Sequence, residues 1–149
     1  MIKITPIRQE QAHTCLPVCL RMVLDYLGFQ HSEAELAAVC HSLPEWGTLP
    51  SDAVNGLETL GYRALWFENA SLDRLYSLLD QGWSVILLFL AADLPHGTSG
   101  LHAVVLSGFE GQEAVLIDPA LGGEFRFNVA DFMRAWAALD HQGMVIWRP

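Results

Sequence analysis

The sequence is poor in cysteine and in positive charge, and it has no apolar stretch long enough to cross a bilayer. Each shortage removes a class of function. Three cysteines, Cys15, Cys19 and Cys40, form an odd and low count that argues against a disulfide framework. Cys15 and Cys19 fall on one predicted helix, a poor geometry for a bridge. No second Cys or His pair stands at ligand spacing, so zinc is not expected, and the chemistry read below needs no metal or cofactor. Lys and Arg total 8 against 17 Asp and Glu, a net charge of −9, with no basic run. Nucleic-acid binding, which needs clustered positive charge, is disfavoured. The longest apolar run, Val85–Ala92, is too short to span a membrane, and Met1–Gln11 is too polar for a signal peptide. A cytoplasmic protein without membrane insertion is expected. The 149 residues are 52% hydrophobic and 17% charged, a globular composition. Without a repeat or linker, they read as one domain over 1–149.

What is present is patterned. Leu16, Cys19, Leu20, Val23, Leu24 and Leu27 recur at helical period over Cys15–Leu27, with Thr14 as the N-cap and Gly28 closing the helix. Ser32 and Glu35 form a capping box for a second helix with an apolar face at Leu36, Val39 and Cys40. Ser51 or Asp52 caps a third helix reaching about Leu60. Strands dominate the second half: Tyr62–Phe67, Ser84–Leu90, the pair His102–Phe109 and Ala114–Ile117, Phe125–Asn128 and Met144–Trp147. Leu72–Leu79 and Asp131–Ala138 read as helices, and Ala91–Gly100 as a loop. Helices first and antiparallel strands second predict an α+β fold with the helices on one face of the sheet.

Cys15 stands at a predicted helix start, where unpaired N–H groups and the helix dipole favour a thiolate. A nucleophilic thiolate needs an imidazole to protonate the leaving group, and a third group to orient that imidazole. Of six histidines, His13, His31, His41 and His141 sit in loops or at helix ends, and His96 in a Gly/Ser/Pro loop. His102 differs: it opens an apolar strand, where an unpaired ring would be costly. Asp118 ends the next strand. A two-residue turn at Gly111-Gln112 would pair Asp118 with Val105, on the wrong face; pairing with Val104 brings it to the face of His102. Cooperation between the two therefore predicts a longer turn, a bulge, or Asp118 beyond regular pairing. Cys19 and Cys40 read as core, and the five tryptophans as core or groove wall.

Together these blocks resemble the C39 family of bacteriocin-processing, papain-like peptidases. Gln9 precedes Cys15 by five intervening residues, Cys19 follows, and the helix ends Leu24-Asp25-Tyr26-Leu27-Gly28. Gly100-Leu101-His102-Ala103-Val104-Val105 is similar to the family's His strand, Val115-Leu116-Ile117-Asp118-Pro119 to its Asp-Pro block, and Phe132–Trp136 with the last strand to its closing elements. The resemblance implies a papain-like α+β fold with N-terminal helices on a C-terminal antiparallel sheet. It implies Cys15 as nucleophile, His102 as general base and acid, Asp118 as orienting residue and Gln9 as oxyanion donor. It implies a peptide or protein substrate, such as a leader peptide cut after Gly-Gly, and an ABC exporter as partner, here as a separate chain. Two positions depart from the family pattern: Thr14 stands for its usual Asp and Leu16 for its usual Gly. Leu16 puts an isobutyl group beside the nucleophile and weakens transfer of the Gly-Gly specificity. Two alternatives remain: a catalytically silent peptide-binding module, and a papain-like acyltransferase or amidase.

Overall fold

A computed structural model describes residues 1–97 and 99–149; Thr98, inside the predicted Ala91–Gly100 loop, lies outside the described residues. The elements run α1 (Cys15–Tyr26), α2 (Glu33–Val39), α3 (Pro50–Thr59), β1 (Arg63–Phe67), α4 (Leu72–Asp80), β2 (Val85–Leu90), a short 3-10 turn (Ala91–Asp93), β3 (Leu101–Glu110), β4 (Glu113–Asp118), β5 (Gly123–Asn128), α5 (Val129–Ala137) and β6 (Gly143–Trp147). The strands form one antiparallel sheet in the order β1-β6-β2-β3-β4-β5.

The helix ends follow from local chemistry, with two differences from expectation. Thr14 precedes α1 but makes no side-chain cap. Its one O–H is shared instead between the Gln11 carbonyl at 2.8 Å and Glu33 at 2.9 Å. α3 starts at Pro50, with Leu49 as N-cap, rather than at a Ser51 or Asp52 cap. Proline's fixed φ and missing N–H suit the first helical position. Elsewhere the signals hold. Ser32 accepts from the Glu35 N–H at 3.1 Å, and Gly28 at φ +94° ends α1, the Phe29 N–H returning to the Leu24 carbonyl at 2.9 Å.

The sheet is covered on both faces, not one. α1, α2 and α3 pack with Ile86, Ala103, Val105, Ile117 and Ile146. The alternate residues Leu87, Val104, Leu106, Leu116 and Val145 form a second layer with Leu75 and Leu78 of α4 and Phe132 and Trp136 of α5. The reason lies in β2 and β3: consecutive residues of each are apolar and buried, and a strand apolar on both sides needs cover on both sides.

The β3–β4 hairpin meets the geometric requirement through a bulge. Gly111-Gln112 is the short turn, with Gly111 at φ +59°. Pairing runs Glu110 with Glu113 and Gly108 with Val115, then slips at Ser107, so that Leu106 faces Leu116 and Val105 faces Ile117. Continuing that register puts Asp118 opposite Val104, on the side of His102. The bulged residue is not left unsatisfied: the Ser107 carbonyl accepts the Ile2 N–H at 2.8 Å, and its hydroxyl donates to the Val115 carbonyl at 3.1 Å.

Candidate active site

Cys15 is the first residue of α1 and is half-buried at the wall of a cleft. Val18 is the first residue to bond back, its N–H reaching the Thr14 carbonyl at 3.0 Å. Pro17 has no N–H, so Cys15 and Leu16 carry the helix's free amides beside the thiol. The segment entering the helix is pinned by Glu33, a buried carboxylate from the first turn of α2. Glu33 accepts the Glu10 N–H at 3.0 and 3.1 Å and the Thr14 hydroxyl at 2.9 Å.

His102, the second residue of β3, lines the same cleft wall as Cys15. Its Nε2 donates to Asp118 Oδ1 at 2.5 Å, which leaves Nδ1 as the ring nitrogen available to a thiol. Burial alone would lower the His102 pKa; the hydrogen bond to Asp118, with the negative charge of Asp118 and Cys15, outweighs it and raises the value to about 9. Asp118 is 1% exposed. Burial would raise its pKa, but the bonds from His102 and His96, the His102 charge and the Ala120 N–H at 2.7 Å hold it below the usual carboxylate value. The three side chains meet at the rim of the sheet because His102 starts its strand and Asp118 ends the neighbouring one.

The other two thiols are different. Cys19 and Cys40 are fully buried. Burial, with the negative charges of Cys15 and Asp118, pushes Cys19 well up; burial, with Asp52, pushes Cys40 up to about 12. Both are core, as their spacing suggested.

Gln9 is tied to the same region without lining the cleft. Its backbone N–H donates to the Pro119 carbonyl at 2.8 Å, next to Asp118. Its side-chain Nε2 donates to the Gln11 carbonyl at 2.7 Å and the Ala12 carbonyl at 3.3 Å, and its Oε1 is buried with no partner among the described residues. Both amide hydrogens are thus engaged by backbone carbonyls, one of them from Ala12, which lines the cleft.

The cleft encloses about 700 Å³. Cys15 and His102 share its walls with Trp46, Leu49, Leu101 and Gln142. A tight turn with reciprocal hydrogen bonds between Leu43 and Gly47 holds Trp46 out at the rim. Leu16 also reaches the cleft but is 3% exposed and packed in the core layer of α1. Sequence reasoning passed over His96 and Glu33. His96 reads as a loop residue in the sequence, and Glu33 as an ordinary acidic residue in a helix's first turn. Only the fold brings either to the site.

The family model of the Peptidase_C39 like family matches residues 1–144. The chain belongs to that family. Solved C39 peptidase domains share its fold. The peptidase domain of Streptococcus ComA, a bi-functional ABC transporter involved in quorum sensing, superposes with a TM-score of 0.80 at 18% identity, over 99% of this chain and 100% of that one. A Bacillus anthracis protein assigned as a C39-like peptidase gives 0.79 at 17% identity, over 100% and 96%. A double glycine motif protease from an AMS/PCAT transporter, solved with its leader peptide, gives 0.75 at 20% identity, over 99% and 94%. No curated protein matches the chain. The C39-like fold is therefore the papain-like α+β arrangement that the sequence blocks implied. Among the described residues, no helix is long and apolar enough to cross a membrane.

Proposed function

We propose that this C39-like chain is a cysteine peptidase that hydrolyses a peptide bond through a Cys15 thioester. The observation that carries the reading is the Asp118–His102 bond with His102 and Cys15 lining one cleft. His102, held protonated by its two anionic neighbours, pairs with the Cys15 thiolate. The thiolate attacks the scissile carbonyl carbon, and the carbonyl oxygen becomes a tetrahedral oxyanion. The Cys15 backbone N–H stabilises that oxyanion. Gln9 joins it by releasing the longer of its two bonds, that to the Ala12 carbonyl at 3.3 Å. As the C–N bond breaks, His102 gives its proton to the leaving amine, and the acyl group stays on Cys15 as a thioester. Neutral His102 then takes a proton from water, whose oxygen attacks the thioester; the carboxylic product leaves and the ion pair re-forms. Asp118 holds the ring in one orientation throughout. The substrate is a peptide or protein segment laid along the cleft. A leader peptide is the class we favour, since a leader-bound protease shares the fold, with an ABC exporter as the partner. The site residues form one domain over 1–149 and need no metal.

One observation favours a second reading. With both amide hydrogens of Gln9 turned to carbonyls, the oxyanion position has a single donor, as a module that binds peptides without cutting them would tolerate. Cleavage of a peptide library by the wild type and by C15A separates the two. The peptidase reading expects products from the wild type and none from C15A. Peptide binding by both proteins with no product from either would establish the module. Amine-capped products in an assay with added amine would instead establish acyl transfer.

A further inference from the structure

Asp118 is held by a second imidazole that the proposed mechanism does not use. His96 Nε2 donates to Asp118 Oδ2 at 2.5 Å, while Oδ1 serves His102 and the Ala120 N–H. Each oxygen of a nearly inaccessible carboxylate is thus assigned, and one histidine grips each side. The approach of His96 is built into the chain. The Ala91 N–H bonds the Gly100 carbonyl, the Leu94 N–H bonds Ala91, and the Gly97 N–H bonds Leu94, winding the loop back on itself. A Cβ on Gly97 would fall 1.4 Å from the Ala91 carbonyl oxygen, so this tight return requires the glycine that follows His96. The ring then stands edge-on against Phe125 of β5, with centroids 4.6 Å apart.

We infer that His96 is a positioning residue for the Cys15–His102 pair, clamping the Asp118 carboxylate so that its other oxygen stays on His102. The inference rests on the peptidase reading of the site. Without the clamp, a buried carboxylate oxygen loses its donor and the carboxylate is free to rotate. The alignment of His102 with Cys15 then loosens, and Asp118 ionises less readily. The chemistry suffers more than substrate binding, because His96 is not among the residues lining the cleft.

Three variants test this. H96F keeps a ring against Phe125 but removes the donor. H96Q places an amide N–H close to the position of Nε2. H96N carries the same amide but falls short of Asp118, and serves in place of the phenylalanine variant should that one not fold. The readouts are kcat and KM on a peptide that the wild type cleaves, and the pH profile of Cys15 alkylation by iodoacetamide. H96F and H96N are expected to lower kcat about tenfold or more with little change in KM, and to move the acid limb of alkylation to higher pH. H96Q is expected to recover most of the rate and the wild-type profile. An H96F or H96N protein with wild-type kcat and pH profile overturns the inference. So does an H96Q protein as damaged as H96F, which would leave His96 only a packing role. A wild type that neither cleaves nor alkylates at Cys15 would count against the peptidase reading itself, so the two failures are distinguishable.

Discussion

Burial by itself would keep His102 neutral, yet its anionic neighbours carry its pKa to about 9. In the proposed mechanism the protonated ring is the acid for the leaving amine, so activity should persist to alkaline pH and fall as the proton is lost. The basic limb of kcat/KM is expected near 9, not near the ordinary histidine value of 6.5. D118N keeps the shape of the carboxylate but removes its charge. It should move that limb to lower pH and reduce kcat by about two orders of magnitude or more. A stability signature follows from the same shift. The folded value lies above the unfolded one, so the contribution is complete below about 6.5 and lost as pH rises through about 9. Thermal midpoints of the wild type should decline over that window, and those of D118N should decline less. Native alkylation should label one thiol of three, because burial keeps Cys19 and Cys40 protonated and out of reach. Mass spectrometry of a native digest reads this directly, and early labelling of Cys19 would contradict the assignment of that side chain to the core.

At the scale of elements, the start of α1 depends on a neighbour. Glu33 does not cap α1 but pins the segment that leads into it, accepting the Glu10 N–H and the Thr14 hydroxyl in a buried position. E33A leaves both donors without that acceptor. It should cost about 1–3 kcal/mol in urea unfolding and also slow Cys15 alkylation. E33A with wild-type stability would remove Glu33 from the account. Legibility varies among the elements for physical reasons. The α1 and α2 patterns were readable because apolar spacing and a Ser cap are local signals. The beginning of α3 reads too late from the sequence, since a Ser and an Asp in its first turn mimic a cap and conceal the role of Pro50. That His102 and Asp118 need Val104 rather than Val105 as the partner position could be deduced from side-chain alternation. The device that achieves it, a bulge at Ser107, has no local signature, because nothing local distinguishes a bulged serine from a paired one until the N-terminal segment supplies its Ile2 partner.

Over the whole molecule, two apolar layers flank one sheet, and the candidate site lies at its rim, where α1 meets β3 and β4. The long apolar run in β2 was visible in the sequence, but its implication, helices on both faces, needed the paths of α4 and α5. His96 stayed hidden for the same reason: its partner oxygen exists as a target only after the 91–97 loop has folded back on β4. Trp136 is not among the residues lining the cleft, although its Nε1 donates at 2.9 Å to the carbonyl of Gln142, which is, so W136A should act mainly on stability. Trp136 is fully buried against Phe132, and its truncation should cost about 3–5 kcal/mol in denaturant unfolding. The folded fraction should retain wild-type alkylation of Cys15. The central claim, however, concerns one covalent bond. Rapid-quench intact-mass spectrometry of the protein mixed with a pooled peptide library reads that bond directly. The expected result is a transient acyl mass on Cys15 that decays as the carboxylic product appears and is absent from C15A. Product formation by C15A, or cleavage without any adduct on Cys15, would contradict it.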